Sequence, residues 1–296
     1  MFDAHDTQAM ARALELARRA AGRVEPNPMV GAVIASRDES GSVTIIAEGW
    51  HDAFGGPHAE VMALETAGDR ARGGTLYVTL EPCCHHGKTP PCTDAVIAAG
   101  IRRVVVAARD PFPAVNGGGI AALKRAGITV ESGLCEPDAL RLTAPFRMLV
   151  ERGRPWVTAK WAMSLDGALA TGTSGDRWLS SPESRGMVHD LRGRVDGILV
   201  GIGTALADDP LLTARPAGPR TPLRIVLDSA ARLPLAGRLV ATARETPLLV
   251  AVGPEADAHR VAALRGCGCE VWVSPDGDRH ARLAALLRSE EHTSEL

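Results

Sequence analysis

The stretch TLYVTLEPCCHHGKTPPCTDAVIAAG, Thr75 to Gly100, decides how the chain is read. TLYVTL (75–80) reads as a buried strand, and CTDAVIAAG (92–100) reads as a helix closed by glycine. Between them, from Glu81 to Cys92, three cysteines, two histidines, a lysine and three prolines fall within twelve residues. A strand that runs into such a cluster and out into a helix is a βα unit. The carboxyl ends of strands are where α/β sheets build their sites.

The same alternation extends in both directions. Residues 6–21 form an amphipathic pattern with Met10, Leu14, Ala17 and Ala21 on one face, stopped by Gly22. PNPMVGAVIAS (26–36) is a turn and a strand, and SVTIIAEGW (42–50) is a second strand that would pair with it as a hairpin. HAEVMALETAG (58–68) is a helix, RRVVVAA (102–108) a strand, and GIAALKRAGITVESG (119–133) a helix, a turn and a strand. This rhythm predicts a three-layer α/β domain. Residues 136–152 read as a helical connector, broken by Gly-Arg-Pro at 153–155. A second α/β domain follows, with strand-like runs at 197–202, 223–228, 247–252 and 270–273.

A length of 296 residues accommodates two domains. Aromatic residues make up only 3%, so the cores must be built from Ala, Val and Leu. No run approaches 18 apolar residues and the N-terminus lacks a signal-peptide apolar region, so no membrane partner and a cytoplasmic location are expected. A net charge of −2 gives no electrostatic case for nucleic-acid binding and favours a small-molecule substrate. In a reducing compartment, six cysteines point to metal or catalysis before disulfides. Cys267 and Cys269 read as small residues at a turn into a strand, and Cys135 reads as core. Only three of the 33 basic residues are lysines, Lys88, Lys124 and Lys160, and Lys88 falls inside the opening stretch.

The chemistry begins at His58-Ala59-Glu60, after Gly-Gly-Pro at a helix start. A catalytic zinc takes three protein ligands and leaves a place for water. One histidine and two thiolates meet that count, with Glu60 free to carry protons. Positions i and i+2 lie about 200° apart on a helix, so His58 and Glu60 can converge only over the first turn. Zinc nucleobase deaminases share H-x-E and P-C-x-x-C. Here Pro82-Cys83 is followed by eight residues before Cys92, which departs from that form. Cys84 stays open as an alternative to Cys83, and His51 reads equally well as a pocket or a core residue.

PNPMVGAVI, HAE and TLEPCCHHGKTPPCTDAVIAAGI together resemble the deaminase half of the bifunctional riboflavin-biosynthesis deaminase/reductases, in which the long cysteine spacing is the normal form. The resemblance continues through KWAMSLDG, DRWLSSPESR, GILVGIGTALADDPLLTAR and PLRIVLDS into the reductase half. It implies a cytidine-deaminase-like domain over 1–146 and an incomplete dihydrofolate-reductase-like α/β domain over 147–287. It implies one zinc held by His58, Cys83 and Cys92, with Glu60 as the proton carrier. Asn27, His86, Lys88 and Thr89 would bind a phosphorylated diaminopyrimidinone ribosylamine, which loses its 2-amino group as ammonia. In the second domain Ala162, Trp178, Thr204, Asp208 and Ser229 would contact NADPH, while Asp176, Arg192, Leu212 and Arg215 would hold the sugar substrate during reduction to the ribityl chain. Lys160 and Asp166 have no assigned role, and a homo-oligomer is compatible with the resemblance.

ILVGIGTAL does not complete a dinucleotide-binding glycine loop, because Leu206 stands where the third glycine belongs. The closing RSEEHTSEL reads as the translation of a sequencing adapter, so residues 288–296 are expected to be non-native and the natural chain to continue. The family's later cofactor-phosphate segment is not found in the sequence, so deaminase activity without appreciable reductase turnover is expected. Two rival readings are a deaminase of another nucleobase, nucleoside or RNA base, and a non-catalytic metal-binding scaffold.

Overall fold

The first helix runs Ala4–Arg18 (α1) in the computed structural model, which describes residues 2–37, 43–87, 90–169, 179–275 and 278–287. It starts earlier than the apolar spacing suggests because Asp3 and Asp6 form a reciprocal capping box, each carboxylate accepting the other's amide. The chain divides into two units, Met1–Trp156 and Val157–Leu296.

In the first unit, Gly31–Arg37 (β1) and Val43–Trp50 (β2) form the expected antiparallel hairpin, with a register shift at Ile34/Ala35. Then come Ala59–Ala67 (α2), Thr75–Leu80 (β3), Cys92–Ala98 (α3), Arg103–Ala108 (β4), Gly118–Arg125 (α4) and Thr129–Ser132 (β5). The sheet order is β2-β1-β3-β4-β5, with β3, β4 and β5 parallel. Side chains alternate between its faces. Ala32, Ile34, Leu76, Val78, Val104 and Val106 pack under α2, α3 and α4. Val33, Ala35, Tyr77, Val105 and Ala107 meet α1 and the following helix, Glu136–Leu142 (α5). Three layers result, as the βαβ rhythm predicts. The connector is two helices, α5 and Ala144–Arg152 (α6), because Pro145 starts a new helix just after Thr143.

Two features fix the helices on this sheet. Gly49 of β2 lies so close to α2 that a Cβ there would stand 2.3 Å from the Ala59 carbonyl oxygen. On the opposite face, buried Asp6 accepts from Tyr77 Oη at 2.8 Å and from Arg103 Nη1 at 2.6 Å, while Arg103 also pairs with Glu131. Those bonds hold the Asp6 carboxyl down at about 2, in spite of burial, which pushes it the other way.

The second unit comprises Pro182–Arg192 (α7), Gly197–Gly201 (β6), Ile202–Asp208 (α8), Leu223–Leu227 (β7), Arg238–Ala241 (α9), Leu248–Val252 (β8), Ala258–Gly266 (α10), Glu270–Val273 (β9) and Arg279–Leu286 (α11). The four strands are parallel in the order β6-β7-β8-β9 among the described residues, so β7 and β8 are the central strands and are buried, while β6 and β9 are the outer strands and stay partly exposed. Val226, Leu248, Val250 and Val271 anchor its main core. Cys267 ends α10, Gly268 turns with φ +95°, and Cys269 is buried as the chain enters β9. Arg224 is fully buried in β7, its guanidinium donating to Thr242 Oγ1 and to the carbonyls of Leu211, Thr242, Thr246 and Pro247. Among the described residues no helix is long and apolar enough to cross a membrane.

Candidate active site

His58 is the N-cap of α2 and makes no side-chain capping bond, which leaves its ring free to turn inward. Glu60 sits in the first turn of the same helix, 3% exposed. The two therefore flank a helix start, the placement under which an i, i+2 pair can serve one site. Cys83 lies three residues beyond β3, and Cys92 is the first residue of α3. The Cys92 amide donates to Cys83 Sγ at 3.3 Å, and the Thr93 amide donates to the Cys83 carbonyl at 3.2 Å. The first turn of α3 thus closes the long interval between the cysteines, and the Cys92 amide pointing at Cys83 Sγ favours thiolate there.

His58 Nδ1 lies 3.2 Å from Cys92 Sγ and 3.6 Å from Cys83 Sγ, and the three donor atoms fall within 4.8 Å of one another. They are the one group of three metal-capable residues this close among the described residues. Tetrahedral zinc with its usual bond lengths sets nitrogen and sulfur ligands about 3.5 Å apart, so these donors fit zinc in type and in spacing. Protonation points the same way. Cys83 is held well below an ordinary thiol by the Cys92 thiol and His58, whereas Cys92 is pushed far up because a second thiolate would face the first. A divalent cation removes that repulsion. Cys84 points elsewhere, its Sγ 3.7 Å from the Ala114 carbonyl. All six cysteines are free.

A cavity of about 370 Å³ opens on His58 and Cys83, with Cys92 buried behind them, a size suited to a small metabolite. Phe54, Phe112 and Phe146, three of the four phenylalanines in an aromatic-poor chain, line it. Burial lifts the Glu60 carboxyl to about 7, against the opposing pull of His58. Asp110 also lines the cavity, and burial raises it to about 6. His51 resolves as a buried cavity residue with two defined bonds. Its Nδ1 donates to the Pro57 carbonyl at 2.9 Å, leaving Nε2 to accept from Asn27 Nδ2 at 3.2 Å. The amide of Asn27 is thereby oriented at the cavity wall.

Of the other residues expected at the substrate, His86 is solvent-exposed and His85 lines the cavity in its place, its ring 5.7 Å from that of Phe112. Lys88 and Thr89 lie outside the described residues, as do Asp176 and Trp178 and the tail from 288. In the second unit Thr204 and Asp208 are exposed four residues apart on α8, and exposed Ser229 follows β7. These three lie beyond the carboxyl ends of adjacent parallel strands. Arg192 and Arg215 both reach Thr213, at its carbonyl and its hydroxyl, and His189 Nδ1 accepts from the Arg215 amide at 3.2 Å. Burial and the like charge of Arg215 lower the Arg192 guanidinium. Leu212 adopts φ +56° and packs its side chain into the core, and Ala162 is half-buried. Three features escaped the sequence reading: Glu81 and Asp110, buried acids at the cavity, and the phenylalanine lining, whose only signal was their scarcity elsewhere.

A three-layer α/β domain with His-Cys-Cys donors beside a buried glutamate at two helix starts defines a zinc-dependent deaminase of the cytidine-deaminase class. Residues 3–108 match the family described as the cytidine and deoxycytidylate deaminase zinc-binding region, and residues 155–291 match the RibD C-terminal domain. The chain belongs to the family of the riboflavin biosynthesis protein RibD. It is 46% identical over 269 residues to that protein of Aquifex aeolicus, covering 90% of this chain and 73% of the relative. It is 44% identical over 254 residues to that of Escherichia coli, covering 81% and 68%. A solved diaminohydroxyphosphoribosylaminopyrimidine deaminase/5-amino-6-(5-phosphoribosylamino)uracil reductase from Thermotoga maritima is similar with a TM-score of 0.80 and 38% identity, over 97% of this chain and 78% of that one. Acinetobacter baumannii RibD is similar with a TM-score of 0.79 and 36% identity, over 97% and 77%. The protein is thus a bifunctional enzyme of riboflavin biosynthesis, with a zinc-binding deaminase domain and an NADPH-dependent reductase domain.

Proposed function

We propose that residues 1–146 deaminate 2,5-diamino-6-(5-phosphoribosylamino)pyrimidin-4(3H)-one, releasing the ring 2-amino group as ammonia, and that residues 147–287 belong to the domain that in the full-length family carries the NADPH-dependent reduction of the ribose to ribityl. The reading is carried by one observation: three zinc-type donors converge within 4.8 Å on a cavity that also holds a buried glutamate. His58, Cys83 and Cys92 hold the zinc, which when bound supplies the Lewis acidity that makes water nucleophilic at neutral pH. Glu60 takes a proton from the attacking water and returns it to the departing nitrogen, a role suited to a carboxyl lifted to about 7. Asn27, held by His51, presents its amide to the edge of the pyrimidinone. The phenylalanine walls exclude water and cover the faces of a flat ring.

In the second unit Thr204, Asp208 and Ser229 contact NADPH, with Ala162 and Trp178. Arg192 and Arg215, gathered about Thr213 with no carboxylate bonded to either among the described residues, receive the substrate phosphate, and Asp176 and Leu212 bound the sugar. The reaction runs in the cytoplasm, where six cysteines stay reduced.

The test is metal analysis with an ammonia assay on the diaminopyrimidinone substrate, followed by NADPH oxidation with the deaminated product. One zinc per chain and ammonia from this substrate but not from cytidine is expected. Zinc-dependent ammonia release from cytidine or adenosine alone overturns the substrate assignment.

A further inference from the structure

Glu81 stands between β3 and the Pro82-Cys83 pair, only 3% exposed, and no basic side chain forms an ion pair with it among the described residues. Its carboxylate is held by backbone alone. Oε1 accepts from the Ile120 amide at 3.1 Å, and Oε2 accepts from the amides of Gly117 at 3.0 Å and Asp110 at 3.3 Å. The donors belong to the segment after β4 and the first turn of α4, so amide dipoles balance the buried charge. A carboxylate is needed here because it accepts at both ends and donates at neither. Packing reinforces the junction, since a Cβ at Gly119 would stand 2.0 Å from the Pro82 carbonyl oxygen. One segment carries Cys83, and the other carries Asp110, Phe112 and Val115 of the cavity wall.

We propose that Glu81 is a positioning residue that locks the Cys83 segment to the Asp110–Val115 wall, so that the metal site and the substrate cavity keep a single relative geometry. This rests on Cys83 being a zinc ligand. Glutamine at position 81 keeps the size but replaces one acceptor with an NH₂ group. Whichever way it turns, an N–H then faces either the Ile120 amide or those of Gly117 and Asp110, and a donor is left unsatisfied.

The experiment compares wild type, Glu81→Gln and Asp6→Asn, the last as a control that weakens the same domain away from the site. Each is loaded with cobalt(II) in place of zinc, its visible spectrum is recorded, and its zinc affinity is measured against a chelating dye. Glu81→Gln is expected to change the cobalt spectrum and weaken zinc about 10–100-fold, the usual cost of losing a group that orients a ligand. Asp6→Asn is expected to lower thermal stability and leave both readouts unchanged. A wild-type spectrum with zinc affinity within about twofold in Glu81→Gln overturns the proposal, whatever its melting temperature. Should Glu81→Gln not fold, amide hydrogen exchange in wild type decides. Protection of the Asp110, Gly117 and Ile120 amides is expected, and exchange at the rate of open loop amides overturns the proposal. Wild type and Cys83→Ser taking up cobalt equally would overturn the ligand assignment itself, separately from the lock.

Discussion

Replacing Gly49 with alanine tests whether catalysis depends on how closely α2 lies on the sheet. The added Cβ would sit 2.3 Å from the Ala59 carbonyl oxygen and 2.6 Å from the Ala63 amide nitrogen, both backbone atoms that cannot rotate away. Restoring ordinary contact moves the helix about 1 Å outward, a shift that costs about 1–3 kcal/mol in overpacked sites. Ala59 lies between His58 and Glu60, so the two residues at the site travel with it. A misplacement of about 1 Å costs roughly 100-fold in turnover. The assay is ammonia release per folded molecule, with the folded fraction taken from a urea titration, alongside Asp6→Asn. Gly49→Ala is expected to lose about 100-fold in kcat/KM, while Asp6→Asn, on the far face of the sheet, keeps wild-type turnover per folded molecule. Wild-type turnover by folded Gly49→Ala, or equal loss in both variants, refutes the reasoning.

Other substitutions and conditions probe the remaining assignments. Glu60→Gln should retain zinc and lose about 10²–10⁴-fold in deaminase kcat, and undiminished ammonia release with metal bound would remove Glu60 from the proton path. Asp6 is lowered from 3.8 unfolded to about 2 folded. Its contribution of about 2 kcal/mol is therefore fully present above the unfolded value and is lost as pH falls through 3.8 towards 2. Asp6→Asn should flatten that part of the acid stability curve, measured by urea midpoints, and an unchanged curve counts against the ion-pair account. Arg224→Met leaves Thr242 Oγ1 and four carbonyls without their buried donor. It should destabilise the second unit by about 3–5 kcal/mol, seen as a lower thermal transition with deaminase activity intact. Chelation of zinc should abolish ammonia release and added zinc should restore it, whereas full activity in metal-free protein would exclude a metal-dependent deamination.

What the sequence carries is what local pattern encodes. Strand β3 and the extent of α3 follow from a six-residue run with four apolar or aromatic residues and from a glycine stop, and the alternation of β1, β3 and β4 fixes which side chains meet which helix layer. The His58 and Glu60 geometry was legible because only a helix start reconciles their spacing. Glu81 was not legible, because its partners are three backbone amides 29, 36 and 39 residues away, and backbone amides leave no trace in residue type. The inward turn of His85 in preference to His86 depends on contact with Phe112, again remote in sequence. The break between α5 and α6 was not read from the sequence, where 136–152 passes as one helical connector, although Pro145 near the start of α6 carries the signal for it.

The hydrogen bonds from Cys92 and Thr93 to Cys83 have a consequence for how such enzymes can diversify. The two thiolates are brought together by the ends of their own segments, the close of β3 and the opening of α3. Their separation in space therefore does not depend on how many residues lie between them, and lengthening a closed loop adds little entropic cost. The stretch from Cys84 to Pro91 is in effect a cassette. Substituting one version for another should change which heterocycle is accepted and leave the metal-binding frame in place, which makes it a natural graft point for redirecting the deaminase to new rings.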